Sequence, residues 1–205
     1  MTRTAKAEAA RHAYGRYFDE VVVAHHLCPW ARGAAEAGAV AVEVAMQTSL
    51  PATLARLQAW LDAPQVAVAI LIFAGTDLNR ADFERFVESV RTAQLDTSRA
   101  APARAGHDHF LLAAFHPEPL GRDARTLSAI DLIRCSPDPT LQAVRASVLA
   151  SVRPAEDGDT RYVEADKLAS WDAPARAVPL HERVARANAA TLARLGQAQL
   201  AAQLR

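Results

Sequence analysis

Val66-Ala67-Val68-Ala69-Ile70-Leu71-Ile72-Phe73 is an apolar run with no polar interruption, rich in β-branched side chains. A half-buried strand alternates apolar with polar residues, so an unbroken run marks a strand covered on both faces, at the centre of a sheet. Pro64 stops whatever precedes the run, and Gly75-Thr76-Asp77 turns the chain after it. Upstream, Leu54, Leu57 and Leu61 recur at helical spacing behind Ser49-Leu50-Pro51, which supplies an N-cap and an early proline. Before that helix, Val40, Val42 and Val44 alternate as a strand does.

Downstream, Phe83, Phe86, Val87 and Val90 mark a second helix, and residues 97–106 read as a surface loop interrupted by Pro102. Phe110-Leu111-Leu112-Ala113-Ala114-Phe115 is a further buried strand, closed by His116-Pro117. Strands separated by helices imply crossover connections. The expected fold is α/β: a small, largely parallel sheet of three or four strands with helices packed on it, in which 66–73 and 110–115 are neighbouring inner strands.

The flanks complete a single domain over 1–205, a length that suits one hydrophobic core. Tyr14, Tyr17, Phe18, Val21 and Val22 place an N-terminal helix over 5–27. The α/β core covers 39–150, and within it Ser136-Pro137-Asp138-Pro139 is expected to open a helix carrying Leu141, Val144, Val148 and Leu149. Residues 153–179 read as a loop with one short element near Tyr162-Val163, and 181–204 as a terminal helix with Val184, Leu192 and Leu195 on one side.

Twenty-three basic residues balance twenty-three acidic ones, so no overall field draws in nucleic acid or an acidic membrane surface. Lys6 and Lys167 are the only lysines, and with arginine this common a single arginine says little about anion binding. The N-terminus lacks the apolar core of a signal peptide, and no run approaches the roughly 18 apolar residues of a membrane span, so a cytoplasmic protein is expected. Two cysteines in a reducing compartment are expected to be thiols.

Reactive groups are densest in His25-His26-Leu27-Cys28-Pro29-Trp30. Cys28 is a candidate nucleophile with His25 three residues before it on the same helical face; the bland alternative is a small buried hydrophobe beside a helix-end histidine. Proline is favoured at the first position of a helix, so Cys28 is expected to cap a new turn from Pro29. The N–H groups of Trp30 and Ala31 would then point at the sulfur and favour its thiolate.

A second polar group, Arg134, Cys135, Ser136 and Arg145, flanks the expected helix start and suits a carboxylate or phosphate; simple capping by Ser136 is the plainer reading. His25, His26, Cys28, His107, His109 and His116 offer donors for zinc or iron, though their spacings match no established motif, and the Cys-Pro dipeptide also occurs where haem binds. There is no Gly-rich phosphate loop, Gly-x-Ser-x-Gly elbow or Cys-x-x-Cys pair.

Together these residues favour a cytoplasmic enzyme acting on a small polar or anionic metabolite through Cys28. His25 stands beside the thiol, His116 serves as acid/base, and Arg134, Ser136, Arg145 and Trp30 line the substrate. That reading requires Cys28 and His116 to be close. Its rivals are a metal- or haem-binding protein without catalysis and an adaptor using an exposed Trp30. No cofactor, substrate identity or oligomeric state is legible in these residues.

Leu27-Cys28-Pro29-Trp30-Ala31, Phe115-His116-Pro117 and Ser136-Pro137-Asp138-Pro139 with Arg145 resemble, in that order, the hallmark segments of the bacterial domain-of-unknown-function family 1415. Glu182 to Gly196, with Asn188, Thr191-Leu192 and Leu195-Gly196, is similar to the family's closing segment. The family pattern has phenylalanine after Cys-Pro and arginine immediately before Ser-Pro, where this chain has Trp30 and Cys135, with Arg134 one place earlier. The resemblance implies an α/β domain, draws attention to Cys28, His116 and Ser136, and carries no activity with it.

Overall fold

The computed structural model describes residues 2–25, 27, 28, 30–100, 108–118, 134–150, 152–154, 160–162, 186, 188–191, 193 and 194. The chain opens with α1 (Arg3–Tyr17), capped by the Thr2 hydroxyl, which accepts from the Ala5 N–H at 3.2 Å. A π-helical turn (Phe18–Val23) follows directly, and then, after a break, α2 (Ala31–Glu36). The expected helix over 5–27 is therefore divided: its register widens at Phe18 and it ends before His25.

Next come β1 (Val40–Ala45), α3 (Leu50–Leu61), β2 (Val68–Phe73), α4 (Arg80–Ala100) and β3 (Phe110–Phe115). Ser49 caps α3 as expected, accepting from the Ala52 N–H with Pro51 in the first turn. Asn79 caps α4, its side-chain oxygen taking the Asp82 N–H at 3.0 Å. That helix runs to Ala100, into the expected loop, whose remainder lies outside the described residues.

β4 (Thr140–Arg145) stands where a helix was expected, followed by the short α5 (Ala146–Ala150). The stripe Leu141, Val144, Val148 suited a helix, but Leu141, Ala143 and Arg145 also alternate against Thr140, Gln142 and Val144. Pro137 and Pro139 decide for the extended form, because a residue preceding proline is held out of the helical region. Inside the expected loop over 153–179 lies part of a small antiparallel pair, β5 (Val152–Pro154) with β6 (Thr160–Tyr162). Within the expected terminal helix, residues 186, 188–191, 193 and 194 are helical; Val184, Leu192 and Leu195 lie outside the described residues.

The main sheet has the order β1-β2-β4-β3. β1 and β2 pair in parallel, whereas β4 is antiparallel to both β2 and β3. The α/β class holds, but the sheet is not largely parallel: β1, β2 and β3 run one way and β4 is inserted against them. Val66–Phe73 and Phe110–Phe115 are consequently not neighbours. β2 is inner and wholly buried, while β3 is an edge that leaves Leu111 48% exposed.

Strand alternation divides the core in two. Val68, Ile70, Ile72 and Val144 face Tyr14, Tyr17 and Val21 of the N-terminal helical segment. Ala69, Leu71, Phe73, Leu141 and Ala143 face Leu57 and Trp60 of α3 and Phe83, Val87 and Val90 of α4. Each fully buried large apolar side chain contributes about 1.5–3 kcal/mol, so two such layers are ample to hold one sheet. No helix among the described residues is long and apolar enough to cross a membrane.

Candidate functional site

Cys28 lies between two short helical pieces. The π-helical turn ends at Val23, the His25 N–H closes on the Val21 carbonyl at 3.2 Å, and Leu27 drops into the core beneath α1. His25 is half-buried in this turn; His26 and Pro29 lie outside the described residues. The chain re-enters helix at Ala31, with Trp30 at the cap position.

The expected donors are in place. The backbone N–H groups of Trp30 and Ala31 favour the Cys28 thiolate, the Ala31 N–H also closing on the Cys28 carbonyl at 3.2 Å, and the Gln142 amide reaches the sulfur from β4, Nε2 to Sγ 4.0 Å. The thiolate expectation is nevertheless corrected. Cys28 is crowded by protein atoms although part of its surface stays open, and burial pushes its thiol above the ordinary value despite those three donors.

Two phenols and the second thiol complete this neighbourhood. Tyr14 and Tyr17 stack at 5.6 Å between ring centroids, tilted by 59°. Burial raises both phenols well above their usual range; Tyr17 also feels Cys135 and Cys28, and Tyr14 feels Tyr17 and Cys28. Tyr14, Tyr17 and Cys28 therefore stay protonated at neutral pH. The sequence marked Tyr14 and Tyr17 as core, and nothing in it placed Gln142 beside a sulfur.

A family model described as a protein of unknown function, DUF1415, matches residues 9–165. The chain belongs to that family. No curated protein and no solved structure matches it. The matched span of this DUF1415 chain holds Cys28, His116, Ser136 and Arg145, while the similar closing segment from Glu182 lies beyond it.

His116 is not beside Cys28. Its ring packs on Phe83 at 6.0 Å, on the α3/α4 side of the sheet, whereas Cys28 meets Gln142 on the α1 side. Both ring nitrogens are engaged: Nε2 lies 3.0 Å from the Leu78 carbonyl, and Nδ1 accepts the Glu118 N–H at 3.1 Å. These bonds are met by the tautomer that carries its proton on Nε2. Glu118 in turn accepts the Arg80 N–H at 3.1 Å, so the cluster ties the start of α4 to the end of β3.

Arg145 is also committed elsewhere. Its Nε donates to the Val66 carbonyl at 2.8 Å, and Nη2 reaches the carbonyls of Trp60 at 2.9 Å and Ala63 at 3.0 Å. Its guanidinium lies over the Phe110 ring at 5.4 Å, with Asp108 at 3.7 Å. It takes the Val66 carbonyl and adds a further donor to the Trp60 and Ala63 carbonyls, which also accept the N–H groups of Ala63 and Val66 where α3 ends, and this corrects its reading as a substrate anchor.

Ser136 is buried and donates to the Asp138 carbonyl at 2.6 Å, closing the turn before β4; no helix follows for it to cap. Arg134 is exposed, and its carbonyl accepts the His116 N–H. Trp30 is buried and its indole N–H meets no partner among the described residues, so the exposed patch required of an adaptor is not formed by this residue. Among the described residues no group of three or more His, Cys, Asp or Glu side chains could hold a metal ion; His107 lies outside them.

Proposed function

We propose that the protein is an enzyme acting on a small polar or anionic metabolite, with Cys28 as its nucleophile. The observation that carries this reading is a half-open thiol reached by the Gln142 amide at 4.0 Å, with the backbone N–H groups of Trp30 and Ala31 favouring its thiolate. A cysteine that only fills space does not require such donors. Set in place before reaction, they hold the charge that gathers on sulfur without reorganisation. The resting thiol stays protonated through burial, which guards it against oxidation, since oxidants act on the thiolate.

In this reading the thiol adds across an electrophilic carbon. A sulfur–carbon bond forms, and the proton passes to the substrate atom that gains the electron pair. His25 belongs to the turn that aims Cys28, and His116 has no part in the step.

The test is intact-mass analysis of the protein incubated with pools of small electrophilic metabolites, followed by peptide mapping. An adduct or turnover that maps to Cys28, is lost in Cys28→Ala and is slowed in Gln142→Ala is the expected result. Turnover that survives Cys28→Ala would falsify the assignment.

A further inference from the structure

A cleft of about 380 Å³ opens between α1, the π-helical turn, α2 and the outer edge of β1. Its volume is in the range of small-molecule sites. Val40, Val42 and Phe18 provide an apolar floor, and opposite charges stand along one side. Arg11 donates from Nη1 to the Val42 carbonyl at 2.7 Å, which fixes the guanidinium and leaves its remaining N–H groups able to take a carboxylate. Asp19 lines the same cleft, eight residues on and roughly 12 Å further along the helix axis.

Two backbone features keep this space open. Gly15 lies within α1, where glycine costs about 1 kcal/mol relative to alanine, and a Cβ there would meet nothing within 4 Å. No close neighbour explains the glycine; a side chain there would project into the cleft it lines. Phe18 and Asp19 are the first two residues of the π-helical turn, whose wider winding shifts their register relative to Arg11. Such turns are frequent at functional sites.

From these features we propose that the cleft binds a small zwitterion, its carboxylate against Arg11, its ammonium against Asp19 and a short apolar body over Val40 and Val42. The charges of the ligand are spaced by that body, as in an ω-amino acid. Tyr14 lines the cleft and is within electrostatic reach of Cys28, but Cys28 does not line it. The cleft therefore stands whether or not Cys28 reacts.

The test is titration calorimetry of the full chain with 6-aminohexanoate, hexanoate and hexylamine. The zwitterion is expected to saturate, roughly tenfold tighter than either single-charge analogue, the usual size of one charged hydrogen-bonding contact. Gly15→Leu fills the cleft and should abolish binding, with a melting temperature unchanged or raised because leucine is the better helix former. Asp19→Asn, at an exposed position, should reduce 6-aminohexanoate to the affinity of hexanoate. Cys28→Ala should leave binding unchanged, which separates this outcome from that of the adduct experiment. The proposal is overturned by absence of saturable binding, by hexanoate or hexylamine binding as well as the zwitterion, or by Gly15→Leu retaining affinity.

Discussion

Cys28 and His116 occupy opposite faces of one sheet. The sulfur meets Gln142, whose register partner Ile70 packs beneath α1, while the imidazole rests on Phe83 of α4. The sheet separates the packing layers to which these neighbours belong. Any chemistry at Cys28 must therefore draw on its own face, where Gln142, Tyr14, Tyr17 and the N–H groups of Trp30 and Ala31 are gathered.

Removing the His116 ring should accordingly be a matter of stability. His116→Ala leaves the Leu78 carbonyl and the Glu118 N–H without their partner and opens a void against Phe83, a loss of about 2 kcal/mol. The urea midpoint should fall while the alkylation rate of Cys28, measured under native conditions, stays as in the parent. A Cys28 rate that drops with His116→Ala would show that the two faces communicate.

Alkylation should also follow an unusual pH course. Since burial raises the Cys28 thiol, its rate with iodoacetamide should climb mainly above the ordinary thiol range near pH 8.5, instead of levelling there. Cys28 keeps part of its surface open and Cys135 is buried, so Cys28 should still react first. Mass-resolved rates from pH 6 to 10 decide it, and a rate that levels below pH 8 would reverse the stated direction.

The parts of the fold set by local patterning were legible in the residues. The unbroken run ending at Phe73 became the buried β2, and the stripe of Phe83, Val87 and Val90 became the inner face of α4. The order of strands was not legible, because inserting β4 between β2 and β3 depends on long-range pairing that no local period encodes. Thr140–Arg145 carried both a helical and an alternating pattern, and only the prolines before it favoured a strand. At the candidate site, the donors around Cys28 followed from the proline beside it. The balance between those donors and burial depended on Gln142 and the tyrosines, which come from distant segments.

Arg145 shows how a residue chosen for charge can serve a different purpose. It satisfies carbonyls at the end of α3 from within the core. Arg145→Met keeps much of the side-chain volume but leaves the Val66 carbonyl without its donor and takes one bond each from the Trp60 and Ala63 carbonyls, and should cost about 3 kcal/mol. Equilibrium denaturation measures it; a variant as stable as the parent would mean that water replaces the guanidinium there.

Gly75 gives a steric prediction. A Cβ at that position would lie 2.1 Å from the Met46 carbonyl oxygen, where the ends of β1 and β2 converge. The obstacle is backbone, so it cannot rotate aside as a side chain would. Gly75→Ala should destabilise by about 3 kcal/mol through displacement of that strand end. An unchanged melting temperature would contradict the close approach.

Tyr14, Tyr17 and Cys28 share a consequence at alkaline pH. Burial raises all three acids in the folded chain, and for the two phenols neighbouring acids add to it, whereas in the unfolded chain they titrate near ordinary values, about 10 for the phenols and 8.5 for the thiol. Between the unfolded and folded values the folded state holds more protons, so stability falls as pH rises. Their contribution is fully present below about pH 8.5, begins to fade as the unfolded thiol ionises, and falls more steeply above pH 10. Asp108 has the opposite sign: burial opposes its ionisation, but bonds from Ser147 and His109 and the charge of Arg145 outweigh it. Its lowered carboxyl stabilises the fold above the ordinary aspartate value of about 3.9, and that contribution is lost as pH falls through the folded value. Urea midpoints from pH 7 to 11 should therefore decline on the alkaline side. Tyr17→Phe, which keeps the ring and removes the ionisable hydroxyl, should flatten that decline, and an equally steep slope in the variant would remove Tyr17 from the explanation.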